Sequence, residues 1–258
     1  MVRVAGVFYS FIKSFYKSFP VFIVFGFWEL ITLLNLVSTA LLPRFSSVII
    51  KIIELLYSGI LLQNISVSLY RAFSGLAIGI LAGVILGFSM ATKRHIERFF
   101  YPIITITFPL PKVALAPLII VWLGVTDQAA IFIVFLGTLL PIIVNTYYGV
   151  LSVDKRLLWS ALSLGTPPNN LFRKVIVPAS LPYILNGIKI ALPTAFIVII
   201  SAEFVASRAG VGYLISGYGA LGLYDYMFAV ILIFIILCFI VDRIVAILSK
   251  RLLKWHGG

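Results

Sequence analysis

The sequence predicts an all-α membrane protein with about six transmembrane helices, and its composition, its long apolar runs and its charge distribution all support this fold class. Hydrophobic residues make up 62% of the 258 residues and charged residues only 11%, whereas a soluble domain is about 45–50% apolar and about 25% charged. At about 20 residues per span, the apolar residues suffice for about six spans and their connecting loops. This composition excludes a soluble enzyme, a disordered chain and a disulfide scaffold.

Apolar runs divide the chain into segments. A basic segment over 1–18 precedes the first apolar run, 19–42, which is too long for the core of a signal peptide and is expected to be a retained helix. Residues 43–64 mix apolar and charged side chains, a pattern typical of a helix in the membrane interface. The main transmembrane domain is expected over 65–249, with spans at 72–91, 99–123, 129–150, 184–206 and 227–248, a polar loop at 151–182, and a basic tail at 250–258.

The distribution of basic residues predicts the orientation in the membrane. Of the 20 Lys and Arg residues, 14 fall in segments that the spans place on one side, and the opposite side holds only Arg44, Lys51, Arg71 and Arg208. Short loops rich in Lys and Arg stay in the cytoplasm. Both termini and the 151–182 loop are therefore expected in the cytoplasm. The net charge of +12 then reflects membrane topology, and we expect no nucleic-acid partner.

Four glycines at intervals of four residues form a stripe along the second predicted span. They are Gly75, Gly79, Gly83 and Gly87. On a helix this spacing places small residues on one face, so that the backbone of another helix can approach closely. We therefore expect these glycines to serve helix packing.

Prolines and a lysine interrupt the third predicted span. Pro102, Pro109, Pro111 and Pro117 remove helical hydrogen bonds, and Lys112 is costly in a membrane unless it faces water, an anion or the bundle interior. Two interpretations stay open. Pro111 and Lys112 line a solute pathway, or the span is shorter and Lys112 extends to the interface.

Two charged residues and a glycine-rich segment lie at and after the end of the fifth predicted span. Glu203 lies at its outer end, and Arg208 and the segment around Gly212 come next. One interpretation is a Glu203–Arg208 ion pair, or a helix end followed by a loop that needs the backbone freedom of glycine. The other is an external gate or a contact with a solute-delivering protein.

The polar loop at 151–182 gives the most informative pattern. Its first part predicts a short amphipathic helix ended by Gly165, a residue favoured at helix C-termini. A Pro-Pro-Asn-Asn turn then starts a second short helix, and Pro178 and Pro182 are expected to break the chain before it re-enters the membrane. This helix-turn-helix indicates a surface presented to a partner, with the candidate contact residues Leu158, Trp159, Ser160, Ala161, Gly165, Leu171, Phe172, Val175 and Pro178.

These residues resemble the permease subunits of ATP-binding-cassette (ABC) importers. The cytoplasmic signature of that family is Glu-Ala-Ala, three residues, Gly, nine residues and Ile-x-Leu-Pro, and here Gly165 is followed after nine residues by Val175-Ile176-Val177-Pro178. The segments 109–118, 202–204 and 210–215 add a resemblance to the nitrate/sulfonate/taurine branch. The resemblance covers about residues 65–245 and implies a type I importer permease fold with a cytoplasmic coupling helix pair at 151–182.

The resemblance also implies partners and a mechanism. Two copies of the chain in the inner membrane would form the pathway as a homodimer, two ABC ATP-binding subunits would bind the coupling loop, and an extracytoplasmic solute-binding protein would deliver the solute. The solute of this branch is typically a small oxyanion or sulfonate, sometimes a vitamin or pyrimidine precursor, and an anion would suit Lys112 and Arg71. The chain has no Gly-x-x-x-x-Gly-Lys-Ser/Thr phosphate loop, so ATP and Mg²⁺ are expected on the partner subunit and no cofactor on this chain.

The sequence departs from the family signature at one place. Trp159-Ser160 stands where the family has Glu-Ala, and packing by Leu158, Trp159 and Leu162 is the candidate substitute for the acidic contact.

Two other function classes are the alternatives: a channel or ion-gradient transporter, and an intramembrane enzyme. An enzyme would need acids or histidines at matching depth, but His95 and His256 lie outside the predicted spans, so we predict no catalytic or metal-binding residue.

Overall fold

The computed structural model describes residue 20 and residues 22–253, except for the side chains of residues 168 and 169. The described residues form helices and no strands. The predicted segment 1–18 and the last five residues of the basic tail lie outside them. The helices are α1 (Phe22–Leu33), α2 (Phe45–Tyr57), α3 (Ile60–Thr92), α4 (Arg94–Thr107), α5 (Ala116–Leu123), α6 (Asp127–Leu151), α7 (Lys155–Ser163), α8 (Pro168–Leu171), α9 (Val177–Val205), α10 (Val211–Ala220) and α11 (Tyr224–Leu252), with a 3₁₀ turn at Lys112–Leu115 and a π turn at Phe172–Ile176.

Among the described residues, four helices are long and apolar enough to cross a membrane: α3, α6, α11, and α9 together with the preceding π turn. The pair α4 and α5, with the 3₁₀ turn between them, passes the same test but bends by 91°. Against the expectation of about six spans, the described residues thus contain four, or five when the bent pair counts as one. Within the described part of the run 19–42, helix α1 covers residues 22–33, which is shorter than the about 20 residues of a span.

The described chain divides into two compact units. One contains the described residues up to Leu61 together with Ile215–Ile233, and the other contains Leu62–Leu214 and Phe234 onward. In the first unit, the Trp28 indole N–H donates to the carbonyl of Pro43 at 2.9 Å, and the Trp28 ring packs on Phe45 and Phe228. Aromatic packing and this hydrogen bond hold α1 against α2.

The second unit is organised around α6, which lies between α3 and α9. A Cβ atom built on Gly75 would lie 2.6 Å from the Cβ of Val134, and one on Gly87 would lie 2.6 Å from the Cβ of Thr146. Gly79 and Gly83 meet Thr138 and Ile142 of α6 in the same way. The glycine stripe of α3 therefore lies directly on α6, since no larger side chain fits between the two backbones.

The contact between α6 and α9 also depends on glycines. A Cβ on Gly149 would lie 2.5 Å from the Cβ of Tyr183, and one on Gly187 would lie 2.9 Å from the Cβ of Asn145. Small residues allow these two spans to approach closely along most of their length, where packing rather than water exclusion stabilises helix pairs in a membrane.

The helix α9 continues through the prolines that were expected to break it. Pro178 lies in its first turn, and Pro182 and Pro193 lie inside it. The backbone N–H of Val177 bonds to the carbonyl of Phe172, five residues earlier, so the chain has π geometry just before Pro178. Local π geometry of this kind reorganises the hydrogen bonds that a proline disturbs, which corrects the expectation of a break.

Candidate functional site

The 151–182 loop forms the predicted helix-turn-helix. The carboxylate of Asp154 accepts a hydrogen bond from the backbone N–H of Arg156 at 2.8 Å and so caps the start of α7. Gly165 ends the helix with φ +77°, and the N–H groups of Gly165 and Thr166 donate to the carbonyls of Leu162 and Ala161. This is a Schellman motif, in which glycine supplies the left-handed residue without a steric penalty.

The loop exposes apolar side chains on α7 and just after it, and Trp159 and Leu162, three residues apart, form a patch on one face of the helix. Leu157, Trp159, Leu162 and Leu164 are 52%, 63%, 47% and 87% exposed, respectively. Phe172 on the π turn is half-buried and contacts the ring of Phe88 edge-on at 5.3 Å. Exposed apolar groups clustered on a short loop typically mark a protein contact. Of the candidate contact residues, Trp159, Ser160 and Gly165 are exposed, and Leu158, Ala161, Leu171, Phe172, Val175 and Pro178 are half-buried.

A buried arginine occupies the opposite end of the same helices, because α6 begins there at Asp127 and α9 ends there just after Glu203. The Arg71 guanidinium donates through Nη1 to the Glu203 carboxylate at 2.8 Å and through Nε to the Asp127 carboxylate at 2.8 Å. The same Nη1 also donates to the hydroxyl of Ser207 and to the carbonyl of Ala209. One cation therefore ties α3, α6 and α9 to the chain that follows α9.

The Glu203 side chain is fully buried and accepts hydrogen bonds on both oxygens. Besides Arg71, the hydroxyl of Ser68 donates to it at 2.7 Å, and the backbone N–H of Gly212 donates at 3.1 Å. The amide of Val211 donates to the Ser68 hydroxyl at 2.8 Å, so α3 also binds the start of α10. A buried carboxylate is tolerated when hydrogen bonds and an opposite charge replace its contacts with water, as they do here.

Two glycines let the segment after α9 lie on the carboxylate. Gly210 has φ +118°, and a Cβ there would collide with the Glu203 carboxylate; a Cβ on Gly212 would lie 2.7 Å from the Glu203 Cβ. The backbone N–H of Gly210 bonds to the amide oxygen of Asn64 at 2.7 Å. The structure has the helix end and glycine-containing loop that were one alternative from the sequence, whereas the other alternative, a Glu203–Arg208 pair, is not formed. Glu203 pairs with Arg71 instead, and Arg208 is exposed at the rim of the adjacent cavity.

That cavity has a volume of about 360 Å³ and lies beside the ion pairs. Arg71, Asp127, Glu203 and Arg208 contribute charged groups to its lining, and the first residues of α6 contribute apolar ones. Because two cations face two carboxylates, the lining is electrically balanced. It can hold a polar group or water, and Arg71, which the sequence suggested for an anion, pairs here with Asp127 and Glu203.

Lys112 lies at the bend between α4 and α5. Its ammonium donates to the carbonyls of Thr107 and Phe108 at 2.8 and 2.6 Å, where α4 ends. The preceding Pro111 is exposed and has extended backbone geometry. Lys112 thus satisfies the carbonyls that the broken helix leaves open. The 3₁₀ turn that contains it packs against α6 and α9.

Sequence reasoning identified Glu203, Arg208 and Gly212 but not what holds them together. Ser68, Asn64 and Asp127 were missed, and Arg71 was considered only as a residue that would suit an anion. A polar series at positions 64, 68 and 71 on an otherwise apolar helix was the available signal, because residues three and four apart share a helix face.

Comparison with known proteins gives consistent similarities. Residues 75–254 match the family described as binding-protein-dependent transport system inner membrane component. A Bacillus subtilis protein with the name aliphatic sulfonates transport permease SsuC is 32% identical over 240 residues, which cover 92% of this chain and 86% of that protein. The Escherichia coli taurine transport system permease TauC is 28% identical over 89% of this chain and 86% of that protein. The solved structure of the MetNI methionine ABC transporter in inward-facing conformations has a chain of the same fold, with a TM-score of 0.66 at 22% identity over 75% of this chain and 96% of that chain.

Proposed function

We propose that this chain, which belongs to the family of binding-protein-dependent transport system inner membrane components, imports a small organic sulfonate or a related oxyanion. As a member of this family it is a permease subunit of an ABC importer, so it translocates solute and is not an enzyme. The family implies an ATP-binding subunit and a solute-binding protein as partners. The relatives named for aliphatic sulfonates and taurine support the proposed solute class.

The assembly that we propose contains two copies of this chain and two ATP-binding subunits. The copies form the pathway as a homodimer in the inner membrane, with both termini in the cytoplasm. ATP and Mg²⁺ bind to the partner subunits, and the solute-binding protein docks at the end of the bundle that carries Arg71 and Glu203.

The observation that carries the coupling proposal is the connection of the exposed α7 patch to α6 and α9. The patch around Trp159 lies between the two helices that reach Asp127 and Glu203 at the other end. Docking of the ATP-binding subunit on this patch would move both helices as rigid bodies, which is the kind of motion that alternating access requires. In this proposal Leu158, Trp159, Ser160, Ala161, Gly165, Leu171, Phe172, Val175 and Pro178 form or position the docking surface.

The gate that we propose lies at the outer end. Glu203 and Gly212 hold the segment after α9 closed against α3, and Arg208 lies at the cavity rim for the binding protein to contact. Pro111 and Lys112 form the bend that such a gate moves against. ATP-driven displacement of α9 would separate Glu203 from its partners and open the outer end.

Replacement of Trp159 by alanine tests the coupling. The assay uses proteoliposomes with the chain, its ATP-binding subunit and its binding protein, and measures taurine uptake and ATP hydrolysis. We expect uptake to fall at least about tenfold with the variant still inserted, because a buried aromatic anchor commonly contributes about 2 kcal/mol or more to an interface. Tyr57→Ala, at a side chain that is 89% exposed on α2, is the matched control. Coupled uptake by Trp159→Ala at the wild-type rate would contradict the docking proposal.

Lys112 provides a separate test of the gate. Lys112→Met keeps the length of the side chain but removes both hydrogen bonds to the end of α4. We expect slower taurine uptake with binding-protein-stimulated ATP hydrolysis retained, since the bend and not the docking surface is changed. Wild-type uptake by this variant would remove Lys112 from the gate.

A further inference from the structure

An amide pair joins α6 and α9 in the half of the bundle nearer the 151–182 loop. The side-chain N–H of Asn186 donates to the amide oxygen of Asn145 at 3.0 Å, and the Asn145 side-chain N–H donates to the carbonyl of Pro141 at 2.8 Å. Gly187 brings the backbones together at this level, because a Cβ there would lie 2.9 Å from the Cβ of Asn145. The pair is therefore held in place while Asn186 stays exposed.

Lys189 lies one turn further along α9, on the same side of the helix as Asn186. It is half-buried, and no residue in the described part of the chain is within hydrogen-bond or ion-pair distance of its ammonium. From the helix rise, it is about 18 Å from Val177 and about 24 Å from Val205. A lysine at this depth is costly unless its charge meets water or an anion.

Two tyrosines, one on α6 and one on α4, are also exposed. Tyr148, one turn after Asn145 on α6, is 49% exposed, and Tyr101 of α4 is 45% exposed. Both line a cavity of about 280 Å³ together with Thr105. Hydroxyl and amide groups exposed on spanning helices are unfavourable against lipid chains.

A groove between α9 and α11 is lined by Leu192 and Pro193. Within the described part of the chain, Asp242 is the one acid that α11 contributes to this groove. It makes no ion pair with Lys189. The three ammonium donors of Lys189 and the remaining N–H of Asn186 are thus available to an outside acceptor. A sulfonate, carboxylate or other oxyanion presents several oxygens and a negative charge, which matches this donor set.

We propose that Lys189, positioned beside the Asn145–Asn186 amide pair, contacts the anionic group of the solute as it passes through the membrane. The site is distinct from the cluster of Arg71, Asp127 and Glu203, in which the two carboxylates already neutralise Arg71. The inference rests on the proposed import of an anion and assigns the residue that recognises its charge. It requires the exposed polar faces of α4, α6 and α9 to line the pathway.

Thiol chemistry tests the site without knowledge of the solute. In a Cys238→Ser background, Asn186→Cys places a thiol about 5–6 Å from the Lys189 side chain. The anionic sulfonatoethyl methanethiosulfonate should modify it faster than the cationic trimethylammonioethyl reagent, and Lys189→Gln should lower this rate ratio by about tenfold. Ile199→Cys, at a fully buried position on the same helix, is the control that should stay unmodified. Failure of both reagents to modify Asn186→Cys, or a ratio that Lys189→Gln leaves unchanged, would overturn the proposal.

Transport gives the second measurement, with the complete importer in proteoliposomes and taurine as the probe. Lys189→Gln should reduce taurine uptake at least about tenfold, while Lys189→Arg keeps the charge and most of the rate. Restoration of uptake in Lys189→Gln by Asp242→Asn would assign a Lys189–Asp242 charge balance instead and overturn the proposal. Wild-type protein that does not move taurine but shows the thiol result would overturn the proposed solute class and leave the anion site standing.

Discussion

Replacement of Arg71 by methionine isolates the contribution of the buried ion pair. The variant leaves the Glu203 carboxylate, whose side chain is 0% exposed, with only the hydrogen bonds from Ser68 and Gly212. Removal of one partner of a buried pair costs about 3–5 kcal/mol, and the two remaining hydrogen bonds favour the lower end, about 3 kcal/mol. The Asp127 side chain is 52% exposed, so Asp127→Asn is expected to cost only about 0–1 kcal/mol.

The free energy of unfolding can be measured by SDS titration of the purified protein in mixed micelles, with labelling of the half-buried Cys238 thiol as the readout. The double variant Arg71→Met/Glu203→Gln should recover part of the loss, because no buried charge is then left without a partner. Equal costs for Asp127→Asn and Arg71→Met, or strictly additive costs in the double variant, would refute the reasoning from burial.

Two further variants test packing and pH dependence. Gly75→Ala should lower the free energy of unfolding by about 1–3 kcal/mol, because its Cβ would lie 2.6 Å from the Cβ of Val134, whereas Gly217→Ala has open space and should be neutral. A hydrogen bond from Lys51 holds the pKa of Glu54 below its usual value of 4.5. Because the pKa of Glu54 is lower in the folded state, its contact with Lys51 stabilises the protein fully above about pH 4.5, and this stabilisation is lost as the pH falls through the folded-state pKa. Protection factors of the α2 amides should therefore drop over that pH range in the wild type but not in Glu54→Gln. Equal acid sensitivity of both proteins would contradict this.

Local sequence signals were sufficient to predict the helices and the helix-turn-helix at 151–182. The end of α7 at Gly165 follows from glycine's ability to adopt φ +77°, which one sequence position reveals. The stripe that begins at Gly75 needed only the helical period, although its partner α6 did not follow from it. Family resemblance added the functional class, which no local pattern contains.

Contacts between distant positions were not predictable in the same way. Arg71 and Glu203 are 132 positions apart, so nothing local pairs them, and proximity in sequence offered only Arg208 as a partner among the alternatives. Hydropathy counted the run 19–42 as a span but did not locate the turn after α1, where Asn35 has φ 53°. Pro178 predicted a break because a single residue does not reveal the π turn that precedes it.

The unbroken course of α9 has a geometric consequence. Together with the π turn it covers the 34 residues Phe172–Val205, a rod of about 51 Å at the helical rise. A tilt of about 5° at the end nearest the nucleotide would displace the far end by about 4 Å, more than the 2.8 Å that separates Glu203 from Arg71. Under the proposed coupling, the Arg71–Glu203 contact links ATP binding on the cytoplasmic side to the surface that the solute-binding protein contacts on the other side.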